Sequence, residues 1–303
     1  MHKFRFGVLN TGSSLDEWQT FARKAEDMGF STLVVQDHFA MKQFSPLPAL
    51  VSAAAVTKHI RLATVVLDND FRHPALTAKE AATVDVLTGG RLELGLGAGW
   101  TPGDYAQTGI PFEAAGVRVE RLMETVRICK AFFTEETVTF EGKHYHLDKL
   151  DAFPKPAHKP HPPIMVGGRQ KRMLQLAARE ADIVSISLLD RLIPGLANPP
   201  TFGEKVSWVR EAAGSRLDHI EIHINASNMI VSDDPRGTLD ELAQRQNSTP
   251  EKLLESPAVL IGSPDAIVDR LHQLREQFGV SYFGVNQRVM DNVAPVVAKA
   301  AGK

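Results

Sequence analysis

The sequence predicts a (β/α)8 TIM barrel with insertion loops at the carboxyl-terminal face of its strands. Eight short apolar or β-branched runs alternate with longer amphipathic segments along the 303 residues. This alternation is typical of a parallel sheet covered by helices, and eight repeats are the number that closes a barrel. No shift in composition marks a linker, so we expect a single domain over residues 1–303.

The eight predicted strands share a short length and an apolar or β-branched composition. They are FRFGVL (4–9), TLVV (32–35), RLATVV (61–66), RLELGL (91–96), PIMVGG (163–168), DIVSIS (182–187), HIEIHI (219–224) and SYFGVN (281–286). The helical segments between them include LDEWQTFARKAEDMGF, PALTAKEAATVDVLTGG and PDAIVDRLHQLREQFG. Several helices stop at a glycine, as helix C-capping predicts, notably at Gly29, Gly89 and Gly279.

Some stretches do not fit a minimal barrel. Residues 137–147 are typical of a small hairpin that turns at Glu-Gly, and residues 151–163 of an extended connector stiffened by proline. Two longer insertions are predicted at 198–216 and 232–258. Loops that follow strands carry the lids of barrel enzymes, so 188–203 and 232–258 are candidate lids. Surface decoration or a subunit contact explains these loops equally well.

The charge balance argues against nucleic acid and anionic membranes as partners. Lys plus Arg number 34 and Asp plus Glu number 36, which gives a net charge of -2 and no overall basic field. No apolar run reaches the roughly 18 residues of a membrane span, and the start of the chain lacks the apolar core of a signal peptide. We expect a cytoplasmic protein with a small-molecule substrate. The single cysteine, Cys129, lies among apolar residues at helical spacing and is expected to be a buried thiol.

A polar pair follows the second predicted strand, where barrel enzymes keep catalytic groups. This pair is Asp37 and His38. A histidine passes protons near neutral pH, and a neighbouring carboxylate can hold its tautomer or bind a substrate hydroxyl. Capping of the next helix is the alternative, and the position at the barrel mouth favours catalysis. After the third strand, Asn69 and Arg72 can hold the polar edge of a ligand or act only as caps and turn formers.

Glycines at positions 95, 97 and 99 follow the fourth predicted strand. The dinucleotide fingerprint G-x-G-x-x-G needs a third glycine three residues after the second, but Trp100 and Pro102 stand at those positions. A Rossmann site is therefore excluded. What remains is a strand that ends in backbone without side chains, which suits a flat ring or another chain passing close by.

The fifth strand ends in two glycines that lead into a basic helix start. Gly167 and Gly168 precede Arg169, with Lys171 and Arg172 next. Backbone N–H groups at a helix N-terminus together with cations form an anion site, and phosphate is the natural ligand. A glycine turn beside a solvated basic helix end is the alternative. No metal site is expected, because the pair of hairpin histidines at 144 and 146 lacks a nearby third ligand.

The assembled pattern resembles the bacterial luciferase-like superfamily of flavin or deazaflavin oxidoreductases. Four stretches carry the resemblance, which covers most of the chain: AEDMGFSTLVVQDH (25–38), RLATVVLDNDFRHPALTAKEAATVDVLTGGRLELGLGAGW (61–100), GVRVERLMETVRICKAFF (116–133) and PPIMVGGRQKRMLQLAAREADIV (162–184). The resemblance implies a barrel whose cofactor ring lies across the carboxyl-terminal strand ends, with the cofactor phosphate near Gly167 and Gly168.

Within this superfamily, the pair Asp37 and His38 and the stretch TVVLDNDFRHP (64–74) most resemble members that use coenzyme F420, an 8-hydroxy-5-deazaflavin; FMN is the alternative cofactor. In those relatives a non-prolyl cis peptide backs the ring, and the matching bond here joins Val65 to Val66. The cofactor contacts implied by the resemblance are Val65, Val66, Asn69, Gly97, Ala98, Gly99, Gly167, Gly168 and Arg169.

The sequence departs from the sugar-phosphate dehydrogenases that it resembles. In those enzymes a tryptophan follows the Asp-His pair and an acidic residue follows the glycines, but here the neighbourhoods read FAMKQF (39–44) and GAGWTP (97–102). Trp100 stands where the acid is expected, so a sugar-phosphate substrate is not expected. Phe39, Met41 and Trp100 instead predict an apolar substrate pocket. A homodimer is expected because relatives are often dimers.

The reaction implied by the resemblance is hydride transfer between the deazaflavin and a small carbonyl, alcohol or activated alkene. His38 would pass the accompanying proton, and Asp37 or Asn69 would orient it. The alternatives are an FMN-dependent monooxygenase, a flavin-binding protein without turnover, and an unrelated isomerase on the same fold.

Overall fold

The structure, a computed structural model, describes residues 2–12, 14–190 and 198–303. The strands within these ranges are β1 (Arg5–Leu9), β2 (Thr32–Val35), β3 (Arg61–Thr64), β4 (Leu67–Asp68), β5 (Leu92–Gly97), β6 (Thr137–Glu141), β7 (His146–Asp151), β8 (Ile164–Gly168), β9 (Ile183–Ile186), β10 (Glu221–Asn225), β11 (Asn228–Val231), β12 (Val259–Gly262) and β13 (Val280–Asn286).

The helices in the same ranges are α1 (Leu15–Asp27), α2 (Pro46–Ala54), α3 (Pro74–Leu87), α4 (Pro102–Thr108), α5 (Ala115–Thr134), α6 (Lys171–Glu180), α7 (Phe202–Ala213), α8 (Pro235–Arg245), α9 (Pro250–Leu254), α10 (Pro264–Phe278) and α11 (Met290–Ala300). Many of them begin with proline, whose missing N–H costs nothing in the first turn. Several end at glycine in the left-handed conformation, as α10 does at Gly279.

A closed parallel barrel is the centre of the fold. Its strands are β1, β2, β3 with its continuation β4, β5, β8, β9, β10 and β13, and β13 pairs with β1 to close the ring. Each of the eight predicted strands forms one of these barrel strands, so the prediction of a (β/α)8 barrel is confirmed. Because all strands are parallel, their carboxyl ends meet at one mouth, and this mouth positions the candidate site.

A network of paired charges fills the amino-terminal end of the barrel. Arg5 Nη1 lies 2.6 Å from Glu221 Oε2, and the buried carboxylate of Glu93 accepts hydrogen bonds from both Arg5 and Arg61. The Arg5 guanidinium also lies 4.3 Å from the centre of the Tyr282 ring. Burial raises the pKa of Glu221 to about 7, although Arg5 opposes the shift. The sequence reasoning did not identify this network.

One predicted insertion is wrong in part. Residues 202–213 form α7, the helix that follows barrel strand β9. A capping box starts α7, in which the Thr201 side chain accepts from the backbone of Glu204 and the Glu204 side chain accepts from the backbone of Thr201. The pattern T-x-x-E at residues 201–204 is a sequence signature of a helix start, and it could have predicted α7.

The second insertion, residues 232–258, contains α8 and α9 with a small apolar cluster of their own. Leu239, Leu242 and Leu253 form this cluster with Val259 of β12. Strands β11 and β12 pair in parallel and pack on the outer helices α11 and α10. The lid role of 232–258 stays a prediction, and the other candidate lid, 188–203, includes residues 191–197, which lie outside the described residues.

Two smaller predictions are confirmed. β6 and β7 form an antiparallel hairpin with Glu141 opposite His146. Cys129 is buried on α5, where burial raises the pKa of its thiol to about 12. The thiol is therefore protonated at neutral pH and unsuited to nucleophilic attack. In the part of the chain that the structure describes, no helix is long and apolar enough to cross a bilayer.

Candidate active site

His38 lies at the barrel mouth just after β2, and its partner is Asp104 on α4. His38 Nδ1 lies 2.7 Å from Asp104 Oδ2, with the two side chains 9% and 1% exposed. The other oxygen, Asp104 Oδ1, accepts the backbone N–H groups of Phe39 at 2.8 Å and Ala40 at 2.6 Å. Asp104 thus holds both the imidazole ring and the loop that carries it.

The chemistry of the Asp104 carboxylate sets the state of the imidazole. Burial alone would raise the pKa of Asp104, but hydrogen bonds from the Ala40 N–H and from His38 outweigh it and lower the pKa. A carboxylate accepts hydrogen bonds, so Nδ1 carries a proton and Nε2 is the nitrogen that can exchange one. No hydrogen bond joins Nε2 to any of the described residues. His38 therefore has one ring nitrogen bonded to Asp104 and the other without a partner in the described part of the mouth.

Asp37, predicted to orient His38, lies elsewhere. Its Oδ2 lies 2.5 Å from Arg72 Nη1 and accepts the backbone N–H of Asp68 at 3.1 Å. Neighbouring residues of an extended segment point to opposite sides, so adjacency in sequence does not bring Asp37 and His38 together. Asp37 instead ties the loop after β2 to the end of β4. An acid does lie four residues after Trp100, and the structure shows Asp104 bonded to His38.

The peptide bond between Val65 and Val66 is cis, as the resemblance implied. The Val66 side chain lies inside the barrel, and a Cβ atom on Gly97 would collide with it. A Cβ atom on Gly167 would come within 3.3 Å of the same side chain. These glycines therefore make room for Val66, which presents an apolar surface at the mouth. The contacts predicted between a ring and Val65, Val66 or Gly97 stay predictions.

The glycine at position 99 has a different cause. Its backbone is in the left-handed region with φ +70°, and a Cβ atom there would collide with the Tyr105 hydroxyl. The carbonyl groups of Ala98 and Gly99 accept hydrogen bonds from Arg118 of α5. The run 97–99 is thus packed against its own chain from two sides. Its predicted role in cofactor binding has no independent support from these contacts.

The predicted phosphate site lies between β8 and α6. Gly168 ends β8, and α6 starts with Lys171 at its first position. Arg169 Nη1 donates to the Leu189 carbonyl at 3.0 Å, and its guanidinium lies 5.9 Å from the centre of the Trp100 ring. Burial lowers the pKa of Arg169. Arg172 is tied to α5 through Glu120 at 3.0 Å, so the basic group that faces the mouth is Arg169.

Exposed aromatic and apolar side chains form the rim of the mouth. Phe39, Met41 and Trp100, the predicted substrate pocket, are 56%, 43% and 41% exposed. The Trp100 ring meets His38 edge-on with 5.9 Å between centroids, and Phe39 meets Phe71 in the same way at 5.0 Å. Large apolar side chains left in water beside a buried proton-transfer pair are typical of a substrate site.

Asn69 is buried at the end of β4. Its Nδ2 donates to the hydroxyl of Tyr145, a hairpin residue, at 3.4 Å. The two hairpin histidines do not share a side: His144 contacts Glu120, while His146 is mostly exposed and contacts Glu141. Within the described residues no cluster of three metal-ligating side chains occurs.

The sequence reasoning did not identify two further polar groups, one near the mouth and one deeper in the barrel. The hydroxyl of Tyr105 lies 3.0 Å from Asp68 Oδ1 and 3.1 Å from Asp70 Oδ2. Deeper in the barrel, His223 Nδ1 lies 2.8 Å from the Ser185 hydroxyl, and burial lowers the pKa of His223 to about 3, which keeps it neutral. The sequence shows Asp104 as an acid in the first turn after Pro102, but no local signal marks its partners, which lie on the loop after β2.

Comparison with known proteins identifies the family of this chain. The model of the luciferase-like monooxygenase family, Bac_luciferase, matches residues 1–243, so the chain belongs to that family. The expected resemblance to the luciferase-like superfamily is thereby confirmed.

Individual relatives use different cofactors. An FMNH(2)-dependent dimethylsulfone monooxygenase of Pseudomonas putida is 29% identical over 177 residues, covering 57% of this chain and 48% of that protein. An F420-dependent glucose-6-phosphate dehydrogenase of Kineococcus radiotolerans is 34% identical over 169 residues, covering 54% of this chain and 49% of that protein. The match therefore spans about half the length of these curated relatives.

Solved structures share the whole fold. The coenzyme F420 dependent tetrahydromethanopterin reductase from Methanopyrus kandleri superposes with a TM-score of 0.78 over 99% of both chains, at 19% sequence identity. At this identity the likeness concerns the fold. The family contains both F420-dependent and FMN-dependent enzymes, so family membership alone does not identify the cofactor of this chain.

Proposed function

We propose that this chain is an oxidoreductase that transfers a hydride between coenzyme F420 and a small, largely apolar carbonyl, alcohol or activated alkene. The observation that carries the proposal is His38, whose Nδ1 is held by Asp104 at 2.7 Å while Nε2 is left for the ligand. Hydride transfer to a carbonyl needs a proton at the oxygen, and this histidine is placed to give it.

The residues at the mouth fit a flat ring with a phosphate-bearing side chain. Val66 offers an apolar surface, and the buried amide of Asn69 offers a polar edge beside it. Arg169 and the first N–H groups of α6 offer a site for phosphate. When bound, the deazaflavin would supply the carbon that accepts or gives the hydride.

The chain's own groups would perform the rest of the reaction. In alcohol oxidation His38 Nε2 accepts the proton of the substrate hydroxyl as the hydride leaves the carbon that bears this hydroxyl. In carbonyl reduction Nε2 returns that proton to the oxygen. Asp104 stabilises the imidazolium that forms in between, and Phe39, Met41 and Trp100 exclude water from the apolar part of the substrate.

Cofactor titration tests the proposal. Purified protein is titrated separately with oxidised F420 and with FMN, and tryptophan fluorescence is followed because Trp100 lies next to His38. Tight binding of F420 and weak binding of FMN supports the proposal. The Trp100→Phe variant is the control: it should bind the same cofactor with a smaller change in fluorescence. Binding of neither cofactor contradicts the proposed function.

The second candidate is an FMN-dependent monooxygenase, favoured by the dimethylsulfone monooxygenase relative. Tight binding of FMN alone would point to it, and oxygen uptake with reduced FMN would be the next assay. Cofactor binding without turnover of any carbonyl, alcohol or alkene would favour a flavin-binding protein. The homodimer remains a proposal that size-exclusion chromatography with light scattering can test.

A further inference from the structure

Four side chains form a continuous polar chain beneath α4, which we call the α4 latch: Asp68, Tyr105, Asp70 and Arg121. The Tyr105 hydroxyl lies 3.0 Å from Asp68 Oδ1 and 3.1 Å from Asp70 Oδ2. Arg121 Nη2 of α5 lies 3.1 Å from the same Asp70 oxygen. The Tyr105 side chain is 1% exposed and Asp68 is 7% exposed, so water offers these groups little compensation.

If both carboxyl groups of the latch were ionised, its hydrogen bonds would need one more proton than Tyr105 supplies. A tyrosine hydroxyl has one proton to donate, yet Tyr105 has a carboxyl oxygen on each side. If both carboxyl groups were ionised, one contact would place a carboxylate oxygen against a phenol lone pair in a buried site. If one carboxyl group is protonated, it donates to the tyrosine oxygen and the tyrosine donates to the other.

The charged groups around the latch identify which carboxyl group is protonated. Arg121 faces Asp70 directly, which favours the ionised form of Asp70. Arg121 also pairs with Glu113 at 2.5 Å. Asp68 faces two carboxylates, Asp70 and Asp37, and the nearby Arg72 is already paired with Asp37. Arg118 lies 6.0 Å from the Tyr105 ring but donates to the carbonyl groups of 98 and 99.

The pKa of Asp68 moves in the direction that this charge distribution requires. Burial raises it to about 6, and the carboxylates of Asp70 and Asp37 act in the same direction. Hydrogen bonds from the Asp70 N–H and from Tyr105 oppose the shift without cancelling it.

The latch matters for the site because Tyr105 is the residue after Asp104 on the short helix α4. We infer that a proton held on Asp68 completes the α4 latch and thereby positions Asp104 against His38, so that Asp68 and Tyr105 are positioning residues for proton transfer. The inference rests on the proposed role of His38. The reaction does not consume this proton; Asp68 binds it on folding and loses it as the pH rises through about 6.

The sign of the expected pH effect follows from the raised pKa. The stabilisation from Asp68 is complete below the ordinary carboxyl pKa of 3.8 and is lost as the pH rises through about 6. Asp68→Asn cannot ionise, and its amide can donate to Tyr105 at every pH, although an amide NH2 group in the place of Oδ1 cannot accept the Asp70 N–H, which Oδ1 accepts at 3.0 Å. The loss of that hydrogen bond is the same at every pH, so the pH dependence reports the proton. Asp70→Asn is the matched variant, and it removes the anion that pairs with Arg121.

Thermal melting tests the proton without any use of the proposed function. From about pH 4 to pH 6 we expect the Tm of Asp68→Asn to rise relative to that of the wild type, and the difference should level off above the pKa of Asp68, where Asp68 is ionised in both the folded and the unfolded chain. Asp70→Asn should melt below the wild type throughout. The assignment of the proton to Asp68 would be overturned in two cases. In one, the pH-dependent Tm difference is seen for Asp70→Asn instead of Asp68→Asn; in the other, the Tm difference between Asp68→Asn and the wild type does not change with pH.

Turnover tests the positioning. The ratio of kcat for Asp68→Asn to kcat for the wild type should rise with pH with a midpoint near the pKa of Asp68, because kcat follows the protonation of the folded state and His38 is unchanged in both proteins. Tyr105→Phe should lower kcat by about tenfold, with little change in cofactor Kd. Tyr282→Phe removes a buried hydroxyl at the other end of the barrel and should leave the pH profile of kcat as in the wild type.

The two hypotheses fail separately. A flat kcat ratio together with a pH-dependent melting margin would overturn positioning while leaving the proton on Asp68. Absence of turnover with either cofactor would contradict the proposed function, and the melting curves would still decide whether Asp68 holds the proton.

Discussion

At the amino-terminal end of the barrel, Arg5 and Arg61 surround Glu93. At the carboxyl-terminal end, His38 is bonded to Asp104 and Asp37 to Arg72. Both ends bury charges of both signs on the first or last residues of barrel strands and in the loops next to them. The groups at the amino-terminal end are bonded to one another, whereas His38 at the carboxyl-terminal end has one ring nitrogen bonded to Asp104 and the other without a partner among the described residues.

This difference separates stability from function. At the amino-terminal end the buried charges are paired across neighbouring strands, so the removal of one partner leaves the others buried and unpaired. At the mouth, Asp104 occupies only one side of His38, and apolar side chains such as Phe39 stay exposed at a cost in free energy. The comparison predicts that substitutions at the amino-terminal end reduce stability and that substitutions at the mouth reduce turnover.

Glu93→Ala should produce the largest effect, on stability. It leaves Arg5 and Arg61 without the buried carboxylate that they share, and breaking such a pair costs about 3–5 kcal/mol. Chemical denaturation measures the loss of unfolding free energy. The exposed Glu276→Ala is the control and should change stability little. A stable Glu93→Ala protein that had lost turnover would contradict the division between the two ends.

His38→Ala should come next, with a loss of turnover of about 10²- to 10⁴-fold because the proton donor is removed. Cofactor Kd should stay within a few-fold, and Tm should fall less than in Glu93→Ala, because Asp104 keeps the N–H groups of Phe39 and Ala40 as partners. Steady-state kinetics and cofactor titration measure both quantities. His146→Ala, on the exposed hairpin, is the matched control. Loss of cofactor binding in His38→Ala would make His38 a binding residue instead.

Asp104→Asn should reduce kcat by about 10- to 100-fold, since the imidazole loses the carboxylate that orients it. Asp37→Asn should reduce kcat less and lower Tm, because Asp37 joins two loops through Arg72. Comparison of the two variants decides which acid serves His38. A larger loss of kcat in Asp37→Asn would restore the role that the sequence predicted for that residue.

Phe39→Ala should have the smallest effect, an increase in KM of about tenfold or less for apolar substrates. Phe39 packs on Phe71 and is otherwise exposed at the rim, so its removal takes apolar contact from the substrate alone. Phe153→Ala removes an equally large exposed side chain from the proline-rich connector and should leave KM unchanged. Equal KM values for both variants would place the substrate elsewhere.

Local sequence signals predicted the fold and part of the site. Strand and helix patterns were sufficient to predict the barrel. Each of the eight repeats shows a short apolar strand run, an amphipathic helical segment, or both, and glycine or proline marks many of the ends. His38 and Arg169 were found because a residue that directly follows a barrel strand must lie at the mouth. Asp104 and the α4 latch were missed, since their partners are separated by tens of residues in the chain.

The sequence by itself determined the barrel, the family and some of the side chains at the mouth, His38 and Arg169 among them, since these depend on periodicity and on motifs read along the chain. The tertiary structure alone decided that Asp104 and not Asp37 bonds His38, that Gly97 makes room for Val66, and that Tyr105 lies between Asp68 and Asp70. The physical reason is that hydrogen bonds and close packing depend on distances across neighbouring loops. Those distances are set only when the barrel closes.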